Sequence, residues 1–264
     1  MPAITAIYRY PVKGLGPERL DEAVLTAGRT IAGDRLYAIE NGPSGFDPAR
    51  PAYLPKNRFL MLMRNERLAE LRTAFEEPTH TLVVTAERRE AARGDLRTPQ
   101  GRAAIERFFA AFCADELRGP PKVLSAAGHS FSDVARKVIS IINLASVAAI
   151  ADIVGGPVHP LRFRANLYVA GWPAWGERDL VGREIAVGRT ARLRVVKRIE
   201  RCAATNVDPD TGIRDLAIPH TLLRACGHTD CGIYCEVATG GAIKAGDELK
   251  TDDGGQMTEV GDQK

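Results

Sequence analysis

The sequence predicts a β-rich α+β fold containing a barrel and only a few helices. Three observations point there. Short runs of β-branched and aromatic residues recur along the chain, Gly and Pro turns separate them, and few segments carry a helical period. At 264 residues the chain can form one large domain or two small ones and bury a real core. Its composition is that of a globular protein, 45% hydrophobic and 26% charged.

The elements follow in order. Residues 3–10 are β-prone and stop at Pro11. Lys13-Gly14-Leu15-Gly16-Pro17 is a turn bearing one lysine. Residues 22–26 and 35–40 read as short strands, and Gly33-Asp34-Arg35 delivers an arginine to the start of the second. Residues 41–58, with Pro43, Pro48, Pro51 and Pro55, form a long irregular loop and a candidate rim for substrate or partner. Leu68, Leu71 and Phe75 predict a short helix over 65–75, and 81–85 is a strand. Thr98-Pro99 opens a helix over 100–113 whose apolar face is Ile105, Phe108, Phe109 and Phe112. The Pro/Gly-containing link 117–128 divides the chain into 1–120 and 121–250.

In the second half, 138–143 is a continuous apolar strand. Ser146 is placed to cap a helix over 147–153, stopped by Gly155-Gly156-Pro157. Residues 162–169 alternate, which puts Arg162, Arg164 and Asn166 on one face of a strand. Residues 183–187, 191–199, 233–237 and 242–249 are further strands, and 221–225 is a helical turn. The polar, Gly-rich tail 251–264 reads as disordered.

Bulk properties narrow the function. No apolar run reaches the ~20 residues needed to span a bilayer, and the N-terminus lacks the pattern of a signal peptide. Five scattered cysteines, an odd number, suit a reducing, cytoplasmic compartment. A net charge of +3 is too small for a general nucleic-acid binder but leaves room for a local basic site for a small anion. Neither nucleic acid nor membrane is expected as a partner.

One stretch concentrates chemistry. Arg201-Cys202-Ala203-Ala204-Thr205 follows a strand with interleaved cations and precedes the turn Asp208-Pro209-Asp210-Thr211-Gly212. A thiol where a strand meets a loop is accessible, and cationic neighbours favour an ionised sulfur. The plainer alternative is a small buried apolar residue. Cys226, His228, Cys231 and Cys235 have a metal-like spacing, but they miss the iron–sulfur pattern and Cys235 falls on an inward strand face. Arg162 and Arg164 suit bidentate contact with a phosphate, or else point to solvent. Gly-x-Ser-x-Gly, Walker A and Rossmann glycine patterns are missing from the sequence.

Taken in order, Tyr10-Pro11-Val12-Lys13-Gly14, Gly33-Asp34-Arg35-Leu36-Tyr37, Arg162-Phe163-Arg164-Ala165-Asn166 and Arg201-Cys202-x-x-Thr205 with Asp208-Pro209-x-Thr211-Gly212 resemble one family. The chain is similar to MOSC-domain proteins with an N-terminal β-barrel extension, including the mitochondrial amidoxime-reducing component and its bacterial relatives. The resemblance runs from residue 3 to about 250. It implies a MOSC-type barrel domain, a barrel-like N-terminal domain and a molybdenum cofactor (molybdopterin). By the same resemblance Cys202 ligates molybdenum, and Lys13, Arg35, Arg162, Arg164 and Asn166 hold the pterin and its phosphate. Ser140, Asn143, Arg201 and Tyr234 are further cofactor-binding candidates, and Asp247 is a catalytic candidate near the metal. Gly14 stands where relatives often have Ser, and Ala165 where Pro is common.

The chemistry implied is two-electron reduction of N-oxygenated substrates. Lacking a flavin or nicotinamide fingerprint, the chain would draw electrons from an external ferredoxin-like or cytochrome b5-like donor with its reductase. The alternative is a sulfur carrier or cofactor-delivery protein without reductase activity, and a third class is a binding module with an empty site.

Overall fold

A computed structural model describes residues 1–251; of the tail expected to be disordered, all but Thr251 lies outside the described residues. The strands in chain order are β1 (Ala3–Arg9), β2 (Glu18–Leu20), β3 (Glu22–Leu25), β4 (Ala38–Glu40), β5 (Arg72–Glu76), β6 (Thr81–Ala86), β7 (Arg89–Asp95), β8 (Lys122–Leu124), β9 (Ile139–Asn143), β10 (Leu167–Ala170), β11 (Glu184–Val187), β12 (Ala191–Glu200), β13 (Asp230–Thr239), β14 (Gly241–Lys244) and β15 (Leu249–Thr251). The helices are α1 (Pro99–Phe112), α2 (Leu144–Val154) and α3 (Ile218–Cys226). The fold is α+β and β-rich, as expected.

The principal sheet has eight strands in the order β15-β11-β12-β13-β9-β10-β1-β2. Only β9 and β10 within it are parallel. Its ends curl together: Ile4 N–H donates to the Asp247 carbonyl (2.9 Å) and Leu249 N–H to the Pro2 carbonyl (2.8 Å). This closure satisfies edge groups that would otherwise be open to pairing. Ile4, Ile7, Ile141, Leu193, Ile233 and Cys235 fill the interior. The alternation of β12 explains its part: Leu193 and Val195 point in while Arg194 faces water, and an irregularity in the ladder between Val195 and Lys197 turns Lys197 outward as well.

A second apolar cluster lies in the N-terminal half, between α1 and the sheet β5-β6-β7. Helix α1 starts as expected, with Thr98 Oγ1 accepting from Gly101 N–H (3.0 Å). The first residues cross between halves: β1 pairs with β10 and β3 with β14. Arg214 adds a strap, donating to the carbonyls of Leu62 and Met63 and to Glu66.

Four local expectations are corrected. Residues 66–70 form a 3-10 turn and 72–76 the strand β5, not a helix over 65–75. Leu71, Thr73 and Phe75 also fit a two-residue period, and pairing Thr73 with Val84 and Phe75 with Leu82 decides between the periods. The strand expected from residue 35 begins at Ala38, because Arg35 takes a left-handed conformation (φ 51°). Helix α2 begins at Leu144, capped by Asn143 rather than Ser146; it does stop at Gly155. Finally, Pro160–Phe163 is a 3-10 turn and Arg164 is left-handed (φ 51°), so strand β10 starts only at Leu167. Pro160 and the His159 Nδ1 acceptor for Leu161 N–H impose the turn. Strands β2, β7 and β8 have no counterpart among the expectations, since their short or polar sequences lack an alternating signal.

Candidate functional site

The site forms on the outer face of the barrel, where β9, β13 and the end of β12 meet. Ser140 pairs with Tyr234, and Tyr234 with Lys197, so their side chains sit side by side on that face. Strand β12 ends at Glu200, and Cys202 follows at the mouth of the cleft, partly exposed. The spacing Cys-x-x-Thr has a physical cause. Thr205 Oγ1 and N–H both return to the Cys202 carbonyl (2.9 and 3.0 Å), closing a 3-10 turn that fixes the thiol's backbone.

The same cleft is walled by Arg35, Arg164, Arg201, Lys56 and Asp133. Tyr10 is fully buried beneath two guanidinium groups, Arg164 at 4.4 Å and Arg35 at 5.0 Å from its ring centroid. Both arginines are left-handed, at φ 51°, a conformation costly for residues with a Cβ. Arg35 N–H donates to the Tyr10 carbonyl (2.7 Å), while Asp34 accepts from Tyr10 N–H (2.8 Å) and from Arg35 Nη1 (2.5 Å). Burial lowers the pKa of Arg164, with the charge of Arg35 adding to it and the Tyr10 phenol opposing it. Two cations are thus held together with fewer carboxylates than they need, which is the electrostatic condition for binding an anion.

Lys13 is 5% exposed; its Nζ donates to the Phe131 carbonyl (2.9 Å) and to Asp133 (2.5 Å). Burial lowers the Lys13 pKa and Asp133 opposes that. Desolvation pushes the Asp133 carboxyl up, but Lys13 and Arg35 outweigh it and hold the group far below the usual carboxylate range. The Asp133 side chain is 46% exposed, so solvent screens the pair. A group whose folded pKa is depressed stabilises above its unfolded value, roughly 3.9 for Asp, and loses that contribution as pH falls through the folded value. Wild type is therefore expected to exceed Asp133→Asn in stability at neutral pH and to converge with it in acid. Urea midpoints of both proteins across a pH series measure this.

Arg201 donates from Nε to the Cys231 carbonyl (2.7 Å) and from Nη1 to the Phe163 carbonyl (2.9 Å). Among the described residues its buried Nη2 has no partner. Tyr234 lines the cleft, its phenol pushed up to about 12 by burial, with the Asp133 charge adding to the effect.

Two expected site residues, Asn143 and Asp247, are placed elsewhere, while Arg162 lines the cleft but also holds the loop beside it. The Arg162 head group donates to Asp208 (3.1 Å), Asp215 (2.7 Å) and the Asn206 carbonyl (3.1 Å), knitting the following loop, while its buried Nε has no partner among the described residues. Asn143 caps α2 and donates to Glu177 (2.9 Å), behind the sheet. Asp247 lies at the far end of the barrel, where its carbonyl helps close the sheet beside the start of β12. Cys202 follows the other end of that ten-residue strand, about 30 Å away at the usual rise of a strand. Asn166 sits behind the cleft wall: it accepts from Ser140 (2.9 Å) and donates to the Tyr8 carbonyl (3.1 Å), splicing β9 to β1.

Sequence reasoning missed Lys56, Asp133 and Lys197 as cleft residues. Lys56 had a signal in its place in the loop 41–58, and Lys197 in the interleaved cations of the strand before Cys202. The other cysteines stay apart from the site. Cys231 and Cys235 are buried in different apolar clusters, and among the described residues no group of three His, Cys, Asp or Glu side chains is placed to hold a metal.

Residues 127–250 match the family model of the MOSC domain, and residues 1–119 match the MOSC N-terminal beta barrel domain. The chain belongs to the MOSC family. MOSC domains are associated in general with binding of the molybdenum cofactor. Among curated proteins none matches this MOSC chain. Solved structures with a similar course include the YuaD protein from Bacillus subtilis, 17% identical, covering 95% of this chain and 96% of that one at a TM-score of 0.46. YiiM from Geobacillus stearothermophilus is 21% identical over 43% of this chain and 53% of that one, at a TM-score of 0.33. A hypothetical protein is 13% identical over 95% of this chain and 67% of that one, at 0.40. Among the described residues no helix of this MOSC protein is long and apolar enough to cross a membrane.

Proposed function

We propose that this MOSC protein is a molybdenum-cofactor-dependent oxidoreductase that reduces N-oxygenated substrates with electrons from an external donor protein. The observation that carries the reading is one cleft in which a partly exposed thiol, Cys202, stands among cations that outnumber their carboxylates. The residues fit the group. A soft thiolate is a suitable molybdenum ligand, and the orphaned Nη2 of Arg201 is a buried donor awaiting an acceptor. In this reading Cys202 holds the metal, and Lys13, Arg35 and Arg164 hold the phosphate. Ser140, Tyr234 and Arg201 line the pterin. When bound, the cofactor supplies two-electron removal of oxygen from nitrogen, the oxygen leaving as water. The chain's own part is to bind, to orient and to keep the surroundings cationic. Lys56 and Lys197, at the rim, favour approach of an acidic donor such as a ferredoxin-like or cytochrome b5-like protein.

The test is metal analysis of protein made in a cofactor-competent host, paired with an activity assay. Wild type is expected to carry stoichiometric molybdenum and to reduce an amidoxime with a chemical electron donor. Cys202→Ala is expected to lose most of both. Molybdenum without reduction, together with transfer of cofactor or persulfide to an apo-enzyme, would establish the delivery role instead. Wild type without molybdenum would sink both readings.

A further inference from the structure

Lys13 reaches the cleft only through Asp133. The lysine is 5% exposed and does not line the wall, whereas Asp133 does, beside Arg35, Lys56, Arg164 and Tyr234. The Asp133 carboxylate accepts from Lys13 Nζ (2.5 Å), and among the described residues it has no other hydrogen-bond donor. The second carboxylate of the cradle is built differently. The Asp34 side chain is 2% exposed and accepts from both Tyr10 N–H (2.8 Å) and Arg35 Nη1 (2.5 Å). The Asp133 side chain is 46% exposed. Residues 125–138, between β8 and β9, form neither helix nor strand, and among the described residues the Asp133 backbone makes no hydrogen bond to other backbone groups. Two residues earlier the chain is anchored. Phe131 N–H donates to the Arg35 carbonyl (2.8 Å), and its ring packs on Phe46 and Phe59 at 5.0 and 5.4 Å between centroids.

We propose that Asp133 is a displaceable counter-ion: an anion entering the cleft takes its place on Lys13, and the Asp133 side chain swings out to water. The inference rests on that part of the functional reading in which Lys13 holds the phosphate. Electrostatics favour the exchange, since a phosphate dianion brings two charges to Lys13, Arg35 and Arg164 where the carboxylate brings one. Release costs little, because Asp133 is already half in water and its side chain is tied by one amine. The Phe131 carbonyl (2.9 Å) keeps Lys13 Nζ in position while its charged partner changes. Until then Asp133 spares the buried ammonium from standing unpaired. Lys13 and Arg35 hold the Asp133 carboxyl far below the usual carboxylate range, so it is charged at any working pH and every incoming anion meets it.

Two anions with the same tetrahedral head, sulfate with two charges and methyl sulfate with one, test this in the full chain purified without cofactor. Calorimetric Kd values are compared at constant ionic strength between wild type, Asp133→Asn and Asp133→Ala. The second variant also removes the hydrogen bond that Asn could keep, and it carries the test if the first fails to fold. Displacement adds the same cost, that of breaking the Lys13–Asp133 pair, to the binding of any anion. Each substitution is therefore expected to tighten both anions by one common factor, about three- to tenfold. A carboxylate that stays in place repels in proportion to the ligand's charge. It would make the gain for sulfate about the square of the gain for methyl sulfate, and that result overturns the proposal. Kd values unchanged in both variants overturn it too. Lys13→Met is expected to weaken both anions; sulfate held as well by this variant as by wild type overturns the proposal, since Lys13 is then not the contact exchanged. Stoichiometric molybdenum in wild type beside any of these three results leaves the cofactor reading standing while displacement falls. If neither anion binds any of the proteins, the role of Lys13 as an anion ligand falls and displacement falls with it.

Discussion

Arg35→Met is expected to destabilise the protein by about 3–5 kcal/mol, the usual cost of stranding one member of a buried ion pair. The Asp34 side chain is 2% exposed, and Arg35 is its charged partner. Without the guanidinium the carboxylate keeps only the Tyr10 N–H, which cannot balance a full charge. Burial pulls the Arg35 pKa down, but Asp34 and Asp133 together more than offset it and raise it, so the arginine stays charged across the working range. The double variant Arg35→Met/Asp34→Asn is expected to recover much of the stability, because no charge is left unpaired. It should not recover cofactor binding, because the cradle has still lost a cation. Urea unfolding of the single and double variants, beside their molybdenum content, separates the two roles.

Gly232→Ala is the second change with a large expected effect. Gly232 sits in a bulge of β13 at φ 82°, and a Cβ there would come within 2.5 Å of the Ile141 carbonyl and 2.9 Å of Arg201 Nη2. The backbone conformation alone costs about 1–3 kcal/mol for a residue with a side chain, and the overlap adds about as much. The Gly232 N–H is also a donor to the buried Glu177 carboxylate (3.2 Å), which Asn143 and Ser146 satisfy from the other side. Displacing that strand moves Arg201, so molybdenum content is expected to fall further than a distant change of equal stability cost would lower it. A buried Ile→Val substitution far from the cleft, matched for its cost in urea, is the control.

Much of this site was legible because its parts are local. Cys202 with Thr205, and Asp34 with Arg35, are turns whose function lies within a few residues of sequence, and the structure keeps both as turns. What the sequence did not show of Arg162 is its carboxylate partners, Asp208 and Asp215, which lie some fifty residues further on. Alternation around residue 164 imitated a strand, but Pro160 and the left-handed Arg164 break it. Asp133 gave no signal, since it lies in the irregular segment before β9 and gains its meaning only from Lys13. Asp247 was misplaced for a different reason. Its Gly-Asp turn is locally unremarkable, and only the order of strands in the sheet puts it at the far end of the barrel. The family resemblance supplied the cofactor; neither composition nor spacing would have named it.

The pairing of β1 with β10 has a consequence for how the protein comes into being. Ala3 finds its partner at Ala170, and β3 finds its own in β14, beyond residue 240. β1 can pair on one side with β2 as soon as both are made, but at ribosomal speeds it waits on the order of ten seconds before its other neighbour, β10, exists. Through that interval Ile4 and Ile7, destined for the barrel interior, have no interior to enter. The newborn chain is exposed to aggregation and to chaperones for longer than a protein whose first strands complete a sheet among themselves. Its yield in a heterologous host should depend on synthesis rate and temperature as much as on the stability of the finished molecule.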